Sequence, residues 1–210
     1  MDAVYFSKLC DIPILGDGYS LVARSAANDG SLLFLYAGAI VLQEPVRFRL
    51  CVMSETGAAR TIDLPELDVT FPHVDMFPDG KVLVAGARCS WRGDGDFDLN
   101  GIVFDPGTGH VSRILLGDGI NSVQVDALGR IWVAYSDEGI FGNFGWGDPG
   151  PAPIGAAGLA CFSERGEKIW DYPANAEHMI SDCPVRPPPY ASIRIFMSAR
   201  YRVSLSSPAG

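Results

Sequence analysis

The sequence predicts an all-β chain of short antiparallel strands joined by tight turns. Two observations carry this. Gly (24) and Pro (15) together approach a fifth of the 210 residues, more than helical bundles tolerate, because both residues break helices. Glycine-centred turns also recur at a fixed spacing between short runs rich in Val, Ile, Leu, Phe and Trp, the residues that pleated, half-buried strands favour. No stretch carries a clear 3.6-residue apolar period.

The spacing comes from two interleaved motifs. Val74–Ala85 and Val123–Ala134 share an apolar run, a turn glycine, a basic residue and a second apolar run, and Ala27–Phe34 is a weaker copy. Their turn glycines are Gly30, Gly80 and Gly129. A second motif places Gly57, Gly109 and Gly166 after the runs Leu50–Met53, Ile102–Phe104 and Leu159–Phe162. Glycine reaches the positive φ of such hairpin turns without a Cβ clash. The motifs alternate, so one period is two hairpins, or four short strands, in about 50 residues. That is the size and content of a β-propeller blade.

The expected architecture is therefore a β-propeller with about three complete four-stranded blades, at about 18–64, 71–117 and 120–173, plus the start of a fourth at about 176. Residues 177–183 read as the inner strand of that fourth blade. Closed propellers typically have about four to eight blades, so the chain reads as an incomplete propeller over 1–183. Beyond Cys183 the Asp-Gly turns stop, and 184–210 is a Pro-, Arg- and Ser-rich tail with four Arg (Arg186, Arg194, Arg200, Arg202) and no Asp, Glu or Lys. The expectation is a shifted reading frame or false gene end; a genuine Pro-rich linker and tail is the alternative. If the short chain is real, homo-oligomerisation would bury its open edges.

Composition narrows the function classes. Net charge is −9, with 16 basic and 25 acidic residues, which argues against a phosphate-binding surface and so against a nucleic-acid partner. No apolar run approaches the length of a membrane helix, and Met1–Tyr5 has no basic leader region. The expectation is a cytoplasmic protein with no membrane partner. Cys10, Cys51, Cys89, Cys161 and Cys183 are far apart and form no CxxC, so they read as reduced, buried thiols. No GxSxG, HExxH, Walker or Rossmann motif is present.

Candidate binding residues fall on the long loops between the second and third strands of blades two and three. These loops, about 90–100 and 137–157, share a face with the connection Gly117–Asn121. Long loops on a rigid scaffold are where binding usually lives. Trp91, Asn121, Phe141, Phe144 and Trp146 are the expected ligand-binding face. The aromatics can anchor a ligand or partner, or can fold back over their own blade. Asp94, Asp96 and Asp98 have the D-x-D-x-D spacing that can wrap a hard cation such as Ca²⁺. Leu99 stands where such a loop needs its turn glycine, and a solvated acidic loop is the other reading. His73, His110 and His178 are isolated; His73 and His178 lie near inner strands, where a channel-facing base would sit.

Asn121, Asp126, Gly129, Arg130 and Trp132 also match in register the N-D-G-x-x-D-x-x-G-R-x-W pattern of the SMP-30/gluconolactonase family. More generally the repeats resemble the NHL and SMP-30 group of propellers. Ser122 and Val123 depart from that pattern's Asp-Gly. The resemblance implies a six-bladed propeller, a divalent cation in its central channel with Asn121 among the ligands, and hydrolysis of lactones or phosphoesters. Two functions are thus expected. The leading one is a scaffold that binds an unknown ligand or protein through the long-loop face, with no certain cofactor. The alternative is a divalent-metal-dependent hydrolase of lactones or esters.

Overall fold

The computed structural model describes residues 5–7, 11–16, 18–38, 45–172 and 202–204. The architecture is almost entirely antiparallel β. After the short strand β1 (Tyr5–Ser7), the strands β2 (Ser20–Ala26), β3 (Leu32–Ala37), β4 (Val46–Met53) and β5 (Ala59–Leu67) form one four-stranded sheet in chain order. A second sheet follows with β6 (Pro72–Met76) and β7 (Val82–Gly86). The chain then makes a small hairpin, β8 (Trp91–Gly93) and β9 (Asp96–Phe97), and returns to the second sheet as β10 (Gly101–Phe104) and β11 (Val111–Ile114). The third sheet is β12 (Ile120–Val125), β13 (Ile131–Tyr135), β14 (Leu159–Phe162) and β15 (Lys168–Asp171). Between β13 and β14 lies a five-residue helix, α1 (Asp137–Phe141), which the sequence reading did not anticipate because one turn is too short to show a period. A last strand, β16 (Arg202–Ser204), pairs antiparallel with β1. The expected fourth inner strand at 177–183 and the rest of the 184–210 tail lie outside the described residues.

The turn glycines are where the backbone needs them. Gly30, Gly57, Gly80, Gly109, Gly129 and Gly166 all have positive φ, between 74° and 91°. Each sits at the tip linking two neighbouring strands of one sheet.

Alternation within the central strands stacks the three sheets face to face. In β7, Val82 and Val84 enter the core shared with sheet one, while Leu83 and Ala85 enter the core shared with sheet three. In β10, Ile102 and Phe104 turn the first way and Val103 the other. Both faces of β7 and β10 are covered, so these strands read as unbroken apolar runs. Each fully buried Val, Leu or Ile contributes roughly 1.5–3 kcal/mol of burial free energy. Sheet one's far face carries Phe34, Tyr36 and Cys51, against which Ile12 and Leu15 pack; the Tyr36 hydroxyl donates to the Pro13 carbonyl. Sheet three's far face carries Trp132, Leu159 and Cys161. Among the described residues Cys51, Cys89 and Cys161 are buried and form no disulfide.

The first strands of the three sheets run side by side, with β6 between β2 and β12. Ser25 Oγ donates to the Val74 carbonyl at 2.6 Å. The Val125 N–H donates to Asp75 Oδ2 at 2.7 Å. Ser25, Asp75 and Gln124 occupy the same place in the repeat, so one register position on successive first strands reaches toward the next sheet. Among the described residues no helix is long and apolar enough to cross a membrane.

Candidate functional site

The connections at one end of the sheets surround a cleft of about 230 Å³. Phe71 enters it from the β5–β6 connection. Ala87 and Arg88 enter from the segment after β7. Gly119, Ile120 and Asn121 come from the start of β12, and Ser136 and Glu138 from the start of α1. Four separate connections thus contribute, which is how a rigid scaffold assembles a site from variable loops.

Close backbone approach makes the cleft wall. Gly119 has φ +66°, and a Cβ there would lie 2.2 Å from the Gly139 nitrogen. Only glycine lets α1 rest on the β12 entry. The Ser136 N–H and hydroxyl both donate to the Gly119 carbonyl, at 2.8 and 3.1 Å. Asn121 lies at a β-bulge: Ile120 pairs with Tyr135 and Ser122 with Ala134, which leaves Asn121 outside the ladder. A bulge re-aims its side chain away from the regular alternation, and Asn121 is exposed at the cleft.

Arg88 is the central charge. It forms an ion pair with Glu138 and lies 3.7 Å from Asp118 Oδ2. Its guanidinium carbon stands 5.4 Å from the centroid of the Phe144 ring. Asp118 is buried; its Oδ1 accepts the Cys89 N–H at 2.8 Å. Its Oδ2 has no hydrogen-bond partner among the described residues. Burial pushes the Asp118 carboxyl up, against the N–H bonds and Arg88, which draw it down. Behind the cleft, His73 Nε2 lies 3.3 Å from the Ile120 carbonyl, and burial pulls its imidazole down. Phe71 and Phe144 are the described non-glycine residues with positive φ, at 50° and 46°. Such conformations concentrate at ligand clamps.

The aromatics anticipated from sequence divide into two roles. Trp146 is buried, and its indole N–H donates to the Cys89 carbonyl at 2.8 Å. The Trp91 N–H donates to the Phe144 carbonyl at 2.9 Å. These bonds knit the long loop of sheet two to that of sheet three. Trp91 and Trp146 are therefore placed as anchors between the loops, while Phe141 and Phe144 are exposed.

The acidic loop folds as the β8–β9 hairpin. Arg92 reaches both Asp96 and Asp98 at 2.8 Å, and Asp98 Oδ2 also accepts the Ser90 N–H at 2.7 Å. Asp94 is exposed at the hairpin tip. Asn121, expected as a ligand at a separate site, lies at the cleft and not at this hairpin. Among the described residues no group of three or more His, Cys, Asp or Glu is arranged to hold a metal ion.

Of the residues that carried the family resemblance, Asp126, Gly129, Arg130 and Trp132 serve one turn. Asp126 Oδ1 accepts the Leu128 and Arg130 N–H groups at 2.9 and 3.0 Å. Its Oδ2 accepts Arg130 Nε at 2.7 Å and Trp132 Nε1 at 2.9 Å. Burial alone would raise this carboxyl, but the bonds from Trp132 and Arg130 outweigh it and hold it below the usual range.

No family model matches the chain. No curated protein matches it either. Among solved structures, it is similar to selenomethionine-substituted virginiamycin B lyase from Staphylococcus aureus. That match has 11% identity and a TM-score of 0.25, and covers 82% of this chain and 75% of the other.

Sequence reasoning missed Phe71, Arg88, Ser136 and Glu138. Each follows or precedes a strand end with no motif around it, and only the packing of four connections brings them together. Asn100 was also missed. Its side chain donates to the Gly86 and Gly117 carbonyls at 2.7 and 2.8 Å and accepts the Leu116 N–H at 3.1 Å. It holds the connection into β12 against sheet two.

Proposed function

We propose that the three four-stranded sheets are consecutive blades of a β-propeller, at about 18–64, 71–117 and 120–173, and that the protein is a binding scaffold. Its ligand or protein partner meets the face that carries the long loops between second and third strands. The cleft among Phe71, Arg88, Asn121 and Glu138 supports this reading, because its walls come from connections on that one face. The net charge of −9 keeps nucleic acid out of the proposal.

The test is a fragment library screened by NMR against the full chain. Hits are expected to shift the amide signals of Ala87, Gly119, Asn121 and Glu138, and to weaken in Asn121→Ala. Hits that perturb only the opposite hairpin tips, around Gly80 and Gly129, would overturn the reading.

The hydrolase alternative needs several oxygen ligands around Asn121. There Glu138 is engaged with Arg88.

A further inference from the structure

Among the described residues two carboxylates stand against the single guanidinium of Arg88 at the cleft. Glu138 and the buried Asp118 both face Arg88, and exposed Asp137 precedes Glu138 on the same turn. Asp118 Oδ2 is buried beside the cleft with no hydrogen bond among the described residues. Carboxylates in a partly desolvated cleft attract a cation more strongly than they would in water. The cleft also offers an aromatic surface. Arg88 uses the Phe144 ring, whereas Phe71 lines the cleft and is 72% exposed. An aromatic face beside a carboxylate is the pairing that recognises guanidinium and ammonium groups.

We propose that this cleft recognises a basic side chain of a partner protein, seating its guanidinium or ammonium group between Glu138 and Phe71 beside the resident Arg88. The proposal rests on the long-loop face being the binding face and adds the chemistry of what binds. Arg88 shows the mode in place: a guanidinium held by Glu138 and an aromatic ring. The incoming group is a second cation of the same kind, drawn by the charge that Arg88 leaves unanswered. A protein of net charge −9 steers basic partners toward it over a distance that salt shortens.

The experiment is calorimetric titration of the full chain, at low ionic strength, with the blocked tripeptide Gly-Arg-Gly and its citrulline counterpart. Citrulline keeps the shape and removes the charge. The arginine peptide is expected to bind at least tenfold more tightly, to weaken at least fivefold in Glu138→Gln, and to weaken with added NaCl. Phe71→Ala is expected to weaken it severalfold. Equal binding of the two peptides, or arginine binding unchanged in Glu138→Gln, would overturn the proposal.

A second arm keeps the test decisive if the tripeptide is too weak to titrate. Arg88→Ala removes the resident cation, and a few millimolar guanidinium chloride is then expected to raise the melting temperature of that variant. It should not do so for Arg88→Ala/Glu138→Gln, and equimolar NaCl should not substitute. No rescue, together with no arginine binding, overturns the proposal. Neutral or anionic fragments that nevertheless shift Asn121 and Gly119 would overturn the cation reading alone and leave the binding face standing.

Discussion

The Asp75 carboxylate bridges two strands of different sheets: Oδ1 accepts its neighbour Met76 N–H, and Oδ2 accepts the Val125 N–H, both at 2.7 Å. Among the described residues no Lys, Arg or His is bonded to it, and the partners of this buried carboxyl are backbone amides. Burial pushes it up to about 7, against those two bonds and with help from the nearby Asp29 charge.

That gives a pH signature. Because the folded carboxyl holds its proton more tightly than the ordinary 3.8, its contribution to stability is complete below that value. It is lost as the pH rises through about 7. His73 runs the other way: its imidazole is pulled down by burial, so its contribution is present above the ordinary 6.5 and is lost as the pH falls. Comparing wild type with Asp75→Asn by urea unfolding isolates the first effect. The advantage of wild type should shrink between about pH 4 and about pH 7. A constant difference across that range would show that Asp75 titrates normally.

Asp126→Ala should destabilise by about 2–3 kcal/mol, the cost of removing a charged acceptor from several donors. The Trp132 indole N–H loses its acceptor in a buried place. The carboxyl is held below 3.8, so the staple is intact above that pH and fails as the pH drops through its lowered value. Thermal melts of the variant at neutral pH are the measurement. A loss within about 0.5 kcal/mol, the size of an ordinary surface substitution, would mean that the hairpin holds without it.

The same residue shows what was legible in the sequence. Turn positions were, because a positive φ is a local demand that a glycine answers at one position; Gly80 and Gly129 needed no tertiary knowledge. The buried strands were legible too, since Val82–Ala85 is apolar on both faces. The site was much less so. Asp126, Gly129, Arg130 and Trp132 match a family pattern, and in the fold the polar atoms of Asp126, Arg130 and Trp132 converge on one turn. The cleft residues Phe71, Arg88 and Glu138 are distant in sequence, and their meeting depends on Gly119 letting α1 approach β12. Asn121 was singled out from its pattern, yet the bulge that turns it outward leaves no mark in the residue types around it.

Trp146→Phe tests the seam between the long loops. The ring shape is largely kept, and the bond to the Cys89 carbonyl is lost. The expected cost is about 1–3 kcal/mol for a buried carbonyl left unpaired. It should be felt locally, as faster hydrogen exchange and proteolysis within 141–150. Phe144, which the Trp91 N–H also ties down, would then sit less firmly under Arg88, so ligand affinity at the cleft should fall as well. Unchanged exchange in that loop would show that Gly145 packed on Trp91 suffices.

Arg92 decides how the D-x-D-x-D hairpin handles its charge. Its guanidinium is about half exposed and pairs with Asp96 and Asp98, so Arg92→Ala should cost little stability. The electrostatic consequence is larger than the energetic one. With the guanidinium gone, Asp96 and Asp98 lose their partner, and the D-x-D-x-D segment is free to rearrange until Asp94, Asp96 and Asp98 surround a hard cation. Calcium is then expected to raise the melting temperature of Arg92→Ala and leave wild type unmoved, since a ligand stabilises the fold only through a site it occupies. Asp96→Ala in the Arg92→Ala background should abolish the shift. A calcium shift in wild type that Asp96→Ala removes would reverse the assignment: Arg92 would yield to the ion, and the hairpin would be a cation loop in the native protein.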